Sequence, residues 1–467
     1  MRLCLINPVN PLALSKIRSG RWNRYRIWKP LGLLTVAALT PGDWDVTVID
    51  ENLGLRDYDS MLRPDLVGIT AFTSQASRAY ELAGQFRSRG VPVVMGGIHA
   101  SMCPQEATQH VDSVVVGEAD GIWKRVLDDF RDGALERVYE SQLIDTDAIP
   151  PARHDLLPAG YAFGAIQTTR GCPLNCSFCS VTAFNGSRYR HRPIADVIAE
   201  MRLIREKLVL VVDDNLIGIS PVHIERAKEL FRAMIAARLR KKWIAQVTIN
   251  MADDEELLTL AARAGCVGVF IGFESPTPEG LAEVGKKFNI MKGRSPREAV
   301  RCIQRHGMLV VGSFIIGLDS DGRGIGRRIA DASSSYGLDI LNTLFLTPLP
   351  GTRLWDKMEN EGRIGARSMP HDWRYFTLTF PVARYKQLSR HQIIREMDYC
   401  DRRFYSPWRM VRRMWTSIWR GRHPLISLVS NLSYRGSLAA NHRAYRAFSL
   451  AQETGSAAAS TSRSNGL

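Results

Sequence analysis

The chain has 467 residues, 45% hydrophobic and 23% charged, with a formal net charge of +15. That length exceeds one ordinary core, so two or three domains are expected, and the composition excludes a disordered, collagen-like or disulfide-stapled chain. No apolar run is long enough to span a bilayer, and the opening Met1-Arg-Leu-Cys-Leu-Ile-Asn-Pro reads as a strand rather than a signal peptide. Together these predict a protein of the reducing cytoplasm.

Residues 1–135 alternate short strands with helices. Strands are expected at Arg2–Asn7, Val46–Asp50, Leu66–Thr70, Val91–Met95 and Ser113–Val116, and helices at Leu31–Leu39, Ser77–Arg89, Pro104–Gln109 and Gly121–Asp132. Such a pattern argues for a parallel sheet covered on both faces, with ligands at the carboxyl ends of the strands. Those ends are polar or glycine-rich: Asn7-Pro8-Val9-Asn10, Thr70-Ala71-Phe72-Thr73-Ser74-Gln75, Gly96-Gly97-Ile98-His99-Ala100-Ser101 and Gly117-Glu118-Ala119-Asp120. Small residues there let a large flat ligand approach the backbone. Residues 136–164, with Pro150, Pro151, Pro158 and Gly160, read as a linker.

The stretch that organises the chain follows: Gly171-Cys172-Pro173-Leu174-Asn175-Cys176-Ser177-Phe178-Cys179. Closed zinc and iron–sulfur sites take four protein ligands, so three cysteines on one short loop suggest a metal centre with an open position. Zinc completed by His191 is the alternative reading of the same residues. Cys4, Cys103, Cys266, Cys302 and Cys400 have no ligand spacing and read as buried small hydrophobes.

From Ala165 to about residue 355 the chain runs in longer strand–helix units. Strands are expected at Ala165–Thr169, Leu208–Val212, Trp243–Ile249, Val267–Gly272, Leu309–Ile316 and Asp339–Leu346, and helices at Pro193–Lys207, Pro221–Ala237, Asp253–Ala264, Ser295–His306 and Arg327–Tyr336. About six such units are too few for a closed eightfold barrel and predict a partial barrel. Its strand ends carry Asp213 and Asp214, then Glu274, then Ser313 and Gly317.

The three-cysteine loop, with Phe178 just before the last cysteine, resembles the radical S-adenosylmethionine (SAM) signature. The resemblance implies a [4Fe–4S] cluster held by Cys172, Cys176 and Cys179. Its fourth iron would chelate SAM, whose reductive cleavage gives methionine and a 5′-deoxyadenosyl radical. It further implies SAM contacts at Phe178, Asp213, Asp214, Glu274, Ser313 and Gly317, and a reductant such as flavodoxin or ferredoxin. Asp213 and Asp214 admit a plain helix cap instead, and Glu274 a solvated acid. The basic run Arg188 to Arg192 admits either ligand contacts or a solvated approach to a helix. Residues 1–135 resemble the cobalamin-binding domain found before this core in one branch of the family, implying cobalamin near Thr73, Ser74, Gly96, Gly97, His99, Gly117 and Glu118. The Asp-x-His-x-x-Gly element that supplies an axial histidine elsewhere is absent. The loop from Pro8 to Pro30 instead carries Trp22, Arg24, Tyr25, Arg26 and Trp28. His99 admits both a cofactor contact and a buried, hydrogen-bonded role.

From Lys386 to Arg446 thirteen Lys and Arg stand against three acids, a net +10 of the total. The helical region 356–452 therefore carries the charge. Within it Trp408, Met414, Trp415, Ile418 and Trp419 alternate with Arg409, Arg412, Arg413 and Arg420, a pattern that suits either a membrane interface or a helix docked on the barrel. No nucleic-acid module is recognisable, and residues 453–467 read as a disordered tail.

The expected architecture is α/β: a Rossmann-like doubly wound parallel sheet, a partial (β/α)6 TIM-type barrel and a helical C-terminal region. The expected function is cobalamin-dependent methylation of an unactivated carbon in a small-molecule or lipid-like substrate, with peripheral membrane contact through the basic region left open. A radical cyclase, rearrangement or carbon–carbon bond-forming enzyme is the alternative within the class. A non-catalytic cobalamin or iron–sulfur sensor is the alternative outside it.

Overall fold

The structure, a computed structural model, describes residues 1–14, 17, 29–286, 295–366, 368–419, 423–436, 444, 445 and 448. The run from Trp22 to Trp28, Arg420 and the tail from Glu453 lie outside the described residues. Two compact units emerge: Met1–Phe270 with Pro348–Lys357 and Met369–Thr377, and Ile271–Thr347 with Met358–Ser368 and Leu378–Leu467.

The first unit opens with six strands: β1 (Arg2–Asn7), β2 (Asp45–Asp50), β3 (Leu66–Thr70), β4 (Val93–Gly96), β5 (Ser113–Val116) and β6 (Val138–Glu140). They form one parallel sheet in the order β2-β1-β3-β4-β5-β6. β6 comes from the stretch expected to be linker. It pairs Val114 with Val138 and Val116 with Glu140, an assignment that three residues of local sequence could not signal. The strands are near-continuous apolar runs because both faces are covered. Leu3, Leu5, Leu66, Val94 and Val115 share a core with Leu34 of the helix Leu31–Leu39 and with Trp123, Val126 and Leu127 of the helix Trp123–Arg131. Strand order reverses beside β1, which makes the loops after β1 and β3 the switch point of the sheet. There the Gln75 amide donates to the Pro8 carbonyl (2.5 Å) and to Asn7 Oδ1 (3.3 Å), tying the two loops together.

Next come β7 (Gly164–Ile166), the antiparallel pair β8 (Thr169–Arg170) and β9 (Arg190–His191), then β10 (Leu208–Val211), β11 (Lys242–Val247), β12 (Cys266–Glu274), β13 (Leu309–Ile316) and β14 (Ile340–Phe345). Six of them form a second sheet in the order β14-β13-β12-β11-β10-β7. The pairings of β7 with β10, β10 with β11 and β13 with β14 are parallel. Apart from the β8–β9 pair, each strand lies beside its neighbour in sequence, as a partial barrel requires. β12 crosses the boundary between the units, so β7, β10 and β11 belong to the first and β13 and β14 to the second. Capping fixes the intervening helices: Ser220 accepts from the His223 N–H, Asp254 from the Leu257 N–H, and Ser295 and Glu298 form a capping box.

In the second unit the helix Ile325–Tyr336 packs on Arg390–Phe404. The Glu396 carboxylate accepts from the Gly324 (2.8 Å) and Gly326 (2.9 Å) N–H groups. On the latter helix burial, aided by Asp398, pushes the Asp401 carboxyl up to about 7. A raised carboxyl binds its proton more tightly folded than unfolded. Its contribution to stability is therefore complete below about pH 4 and lost as pH rises towards 7. Asp401→Asn should accordingly stabilise the fold at pH 8 by on the order of 1–3 kcal/mol, seen as a higher thermal midpoint, and leave the midpoint unchanged at pH 4. Equal melting shifts at the two pH values would remove this assignment.

Candidate active site

The cysteine loop lies in the first unit, between β8 and a short helix, Ser180–Asn185, that periodicity did not reveal. Gly171 opens it at φ 86°, and a Cβ there would strike the Arg188 carbonyl, so only glycine lets β8 and β9 close. The Cys172 N–H donates to the Gly186 carbonyl (3.2 Å) and the Cys179 N–H to the Cys176 carbonyl (3.2 Å). The Ser177 carbonyl accepts from the Leu354 N–H at 3.0 Å. Cys176 is buried, while Cys172, Phe178 and Cys179 are half-buried.

Asp213 and Asp214, at the end of β10, serve this loop. Asp213 accepts from the Thr168 N–H (2.5 Å) and from the Thr168 hydroxyl. Asp214 Oδ2 accepts from the Gly171 N–H (2.8 Å) and from Asn185 Nδ2 (2.9 Å). Asp213 is fully enclosed, and burial pushes its carboxyl up to about 6. Burial also raises Asp214, whose hydrogen bonds pull the other way. Both carboxylates therefore act first as supports of the loop. Asp213 has no exposed surface to offer a ligand cation.

Of the basic run after the loop, Arg188 and His191 are exposed, while Arg190 and Arg192 are buried in ion pairs. Arg190 is 4% exposed and forks onto Glu118 at 2.5 and 2.8 Å, while donating to the Asn185 (2.9 Å) and Ile144 (2.5 Å) carbonyls. Arg170 pairs with Asp120 (2.8 Å) and reaches Glu118 (3.4 Å). Arg192 is buried against Glu200 (2.7 Å) and the Gln167 carbonyl (3.0 Å). Glu118, expected as a cobalamin contact, thus has its carboxylate committed to two guanidinium groups and is 3% exposed. The network ties the loop after β5 to the strand pair that carries the cysteines. The only sequence signal for it was an acidic pair, Glu118 and Asp120, matched by a basic run fifty to seventy positions away.

At the carboxyl edge of the first sheet the ends of β3, β4 and β5 stand side by side. Thr73 and Ser74 are buried, and Gly96, Gly97 and Gly117 are half-buried. The Ser101 hydroxyl donates to the Gly97 carbonyl (2.9 Å) and accepts from the Gly117 N–H (2.9 Å). Phe72 projects from the same edge, 61% exposed. His99 is 0% exposed, with Nε2 2.9 Å from the Tyr80 hydroxyl and 3.3 Å from Glu106 Oε1. Burial pulls the Glu106 carboxyl upward, but hydrogen bonds from His99, Tyr80 and Trp373 hold it below the usual range. His99 is thus buried and hydrogen-bonded through Nε2.

The remaining expected contacts lie in the second unit. Glu274, at φ 63° and 6% exposed, is ion-paired with Lys286 at 2.6 Å rather than solvated. Ser313 is half-buried on β13. Gly317 has φ 108°, and the place of a Cβ is filled by the Tyr385 ring, while its N–H and that of Leu318 donate to Asp321 (2.9 and 3.0 Å).

Among the described residues no group of three His, Cys, Asp or Glu side chains converges at ligand spacing, so the cysteines are recognised by their donor chemistry. That chemistry fits an iron–sulfur cluster: three soft sulfurs on one pinned loop, with no histidine bound beside them. His191, the fourth ligand of the zinc alternative, is exposed on β9 and paired through its backbone with Thr169 of β8. The β3–β5 edge fits a corrin through small residues on adjacent strand ends and an exposed aromatic side chain.

Comparison with known proteins agrees. Residues 166–323 match the radical SAM superfamily and residues 21–127 the B12 binding domain. The chain is similar to the bacteriochlorophyllide d C-12(1)-methyltransferase of Chlorobaculum tepidum, with 29% identity over 398 residues, 82% of this chain and 84% of that one. It is also similar to the hopanoid C-2 methylase of Rhodopseudomonas palustris, with 27% identity over 394 residues, 82% and 72% of the two chains. Among solved structures, the fold resembles that of the radical S-adenosylmethionine methyltransferase TsrM from Kitasatospora setae, with a TM-score of 0.62, 20% identity and 79% of each chain covered.

Proposed function

We propose that this chain, a radical SAM enzyme with an N-terminal B12-binding domain, transfers a methyl group to an unactivated carbon of a small-molecule or lipid-like substrate. The observation that carries this reading is the Cys172-x3-Cys176-x2-Cys179 loop inside the radical SAM match, behind a parallel sheet matching the B12 binding domain. Curated relatives that the chain covers for most of their length are C-methyltransferases by name, which supports methyl transfer over cyclisation. When bound, the [4Fe–4S] cluster, SAM and cobalamin supply the electron, the hydrogen-abstracting radical and the methyl carrier.

The protein's own residues bind and orient. Asp213 and Asp214 hold the base of the cysteine loop through the Thr168 and Gly171 N–H groups. The three thiols are the only cysteines with ligand spacing, and a reductant must reach the cluster they hold. Glu118 and Arg190 hold the loop after β5 against the cysteine loop, so the edge assigned to the corrin and the cluster loop keep a fixed relation. Abstraction of an unactivated hydrogen needs such fixed placement, because no side-chain base could remove it in water.

Anaerobic reconstitution with iron, sulfide and hydroxocobalamin, followed by reaction with SAM and dithionite, tests the reading. The expected result is a cluster near four irons per chain, retained corrin, and both S-adenosylhomocysteine and 5′-deoxyadenosine as products. Formation of 5′-deoxyadenosine alone, without retained corrin, would replace methyl transfer by a cobalamin-free radical reaction.

A further inference from the structure

Two helices of the second unit are turned inside out with respect to water. In Pro407–Trp419 the small polar Ser417 is 0% exposed, while Trp408 (78%), Val411 (58%), Trp415 (62%) and Ile418 (55%) face outward. Those four positions recur every three to four residues and so lie in one stripe, with Ser417 on the opposite side. In the helix 424–436 the pattern repeats. Ser427 and Asn431 are 0% exposed, whereas Leu425 (74%), Val429 (65%) and Leu432 (51%) are exposed at i, i+4 and i+7. The inward polar side is fixed: Arg413 donates to Asn431 Oδ1 (2.9 Å) and lies over the Phe404 ring (3.9 Å), and Asn431 donates to the Asp339 carbonyl (3.2 Å). A helix in water would bury its tryptophans and expose its serines; contiguous apolar exposure of this kind marks a surface that something apolar covers.

The surroundings say what kind of surface covers it. Between Asp401 and Glu453 the sequence has ten arginines and no Asp or Glu. Beside the first helix a cavity of about 590 Å³ is lined by Arg395, Arg402, Arg403 and Arg409; Arg402 pairs with Asp398, and Arg403 and Arg409 with Asp331. A second, of about 250 Å³, is lined by Arg297, Arg301, Arg409, Arg412 and Arg413 with Asp339 as its acid. Arg297, Arg301, Arg395 and Arg412 are exposed and have no carboxylate partner among the described residues. Apolar and tryptophan side chains beside arginine-lined hollows match the two layers of an anionic bilayer: acyl chains and interfacial boundary for the stripe, phosphate headgroups for the guanidinium groups. A purely nucleic-acid surface needs the arginines but not the Leu425, Val429 and Leu432 stripe. A second copy of this chain would bring a like-charged face against it.

We infer that helices Pro407–Trp419 and 424–436 form a docking face for an anionic lipid bilayer. No described helix is long and apolar enough to cross a membrane, so the attachment is peripheral. The inference goes beyond the catalytic reading and does not depend on it.

Co-sedimentation of the full chain with phosphatidylcholine vesicles, with and without phosphatidylglycerol, tests it. Binding is expected only to the anionic vesicles. Replacing Trp408, Trp415 and Ile418 together by serine should weaken it at least about tenfold. Arg395→Gln and Arg412→Gln should each weaken it about fivefold. Because all five side chains are on the surface, SAM cleavage in solution should be unchanged in every variant, which separates failure of the docking face from failure of the chemistry. Absence of vesicle binding, or equal binding by the serine variant, would overturn the inference. So would a concentration-dependent dimer lost in that variant, which gives the face to a second copy, or RNA binding that outcompetes the vesicles.

Discussion

Cys176→Ala should abolish iron binding at the cysteine loop and reduce SAM cleavage to background. Cys176 is the buried central member of the three, and its carbonyl receives the Cys179 N–H, so its sulfur leaves the part of the loop that is best fixed. Two thiolates do not hold a cubane cluster, and four of the other five cysteines are poor substitutes. Burial pushes the Cys4, Cys103 and Cys266 thiols up to about 12 and Cys400 well above its ordinary value, and a thiol must lose its proton to ligate. Cys266→Ala is therefore the control that keeps iron and cleavage at the parent level. Iron and sulfide analysis with chromatography of 5′-deoxyadenosine reads both variants, and retained corrin in Cys176→Ala shows that the first sheet still folds. Cleavage at the parent rate in Cys176→Ala would remove the cluster assignment altogether.

What could be read from the chain alone follows the range of the forces involved. The helix Leu31–Leu39 and the strand Leu309–Ile316 have the bounds that their apolar pattern predicts, because nearest neighbours determine both. β6 and the helices Ser180–Asn185, Pro278–Glu283 and Arg353–Asn360 were not legible. Each is nine residues or shorter, too short for a period to show, and β6 also depends on a partner distant in sequence, Val138 finding Val114. The cysteine loop announced its chemistry because ligand spacing is local. Its supports did not: Asp214 binds Gly171 across 43 positions, and Arg190 binds Glu118 across 72. The family resemblance implied ligand contacts at Glu118 and Glu274, and the basic run admitted one at Arg190; the structure pairs each with an opposite charge. Pairing decides here, because an ionised side chain so well buried needs a counter-charge before it can serve a ligand. The C-terminal stripe was visible as alternation of tryptophan and arginine, but only the burial of Ser417, Ser427 and Asn431 tells which way it faces.

Glu118→Ala should destabilise the first unit by about 3–5 kcal/mol, because it leaves a buried guanidinium uncompensated. Arg190 would keep only the Asn185 and Ile144 carbonyls, and Arg170 only Asp120 and the Gln167 side chain. Removing the charge from both sides is a different experiment. In Glu118→Leu with Arg190→Met no unpaired ion remains, and melting should return to within about 1 kcal/mol of the parent or exceed it. The double variant then isolates what the pair does besides stabilise. The pair joins the loop after β5, on the edge assigned to the corrin, to the strand that closes behind the cysteines. Apolar packing in its place restores stability without restoring a directional link. The double variant should therefore keep its cluster and cleave SAM to 5′-deoxyadenosine, while forming several-fold less S-adenosylhomocysteine relative to 5′-deoxyadenosine. An unchanged product ratio in the stable double variant would confine Glu118 and Arg190 to holding the fold. A shifted ratio restored by Glu118→Asp would mark them as the residues that position one cofactor against the other.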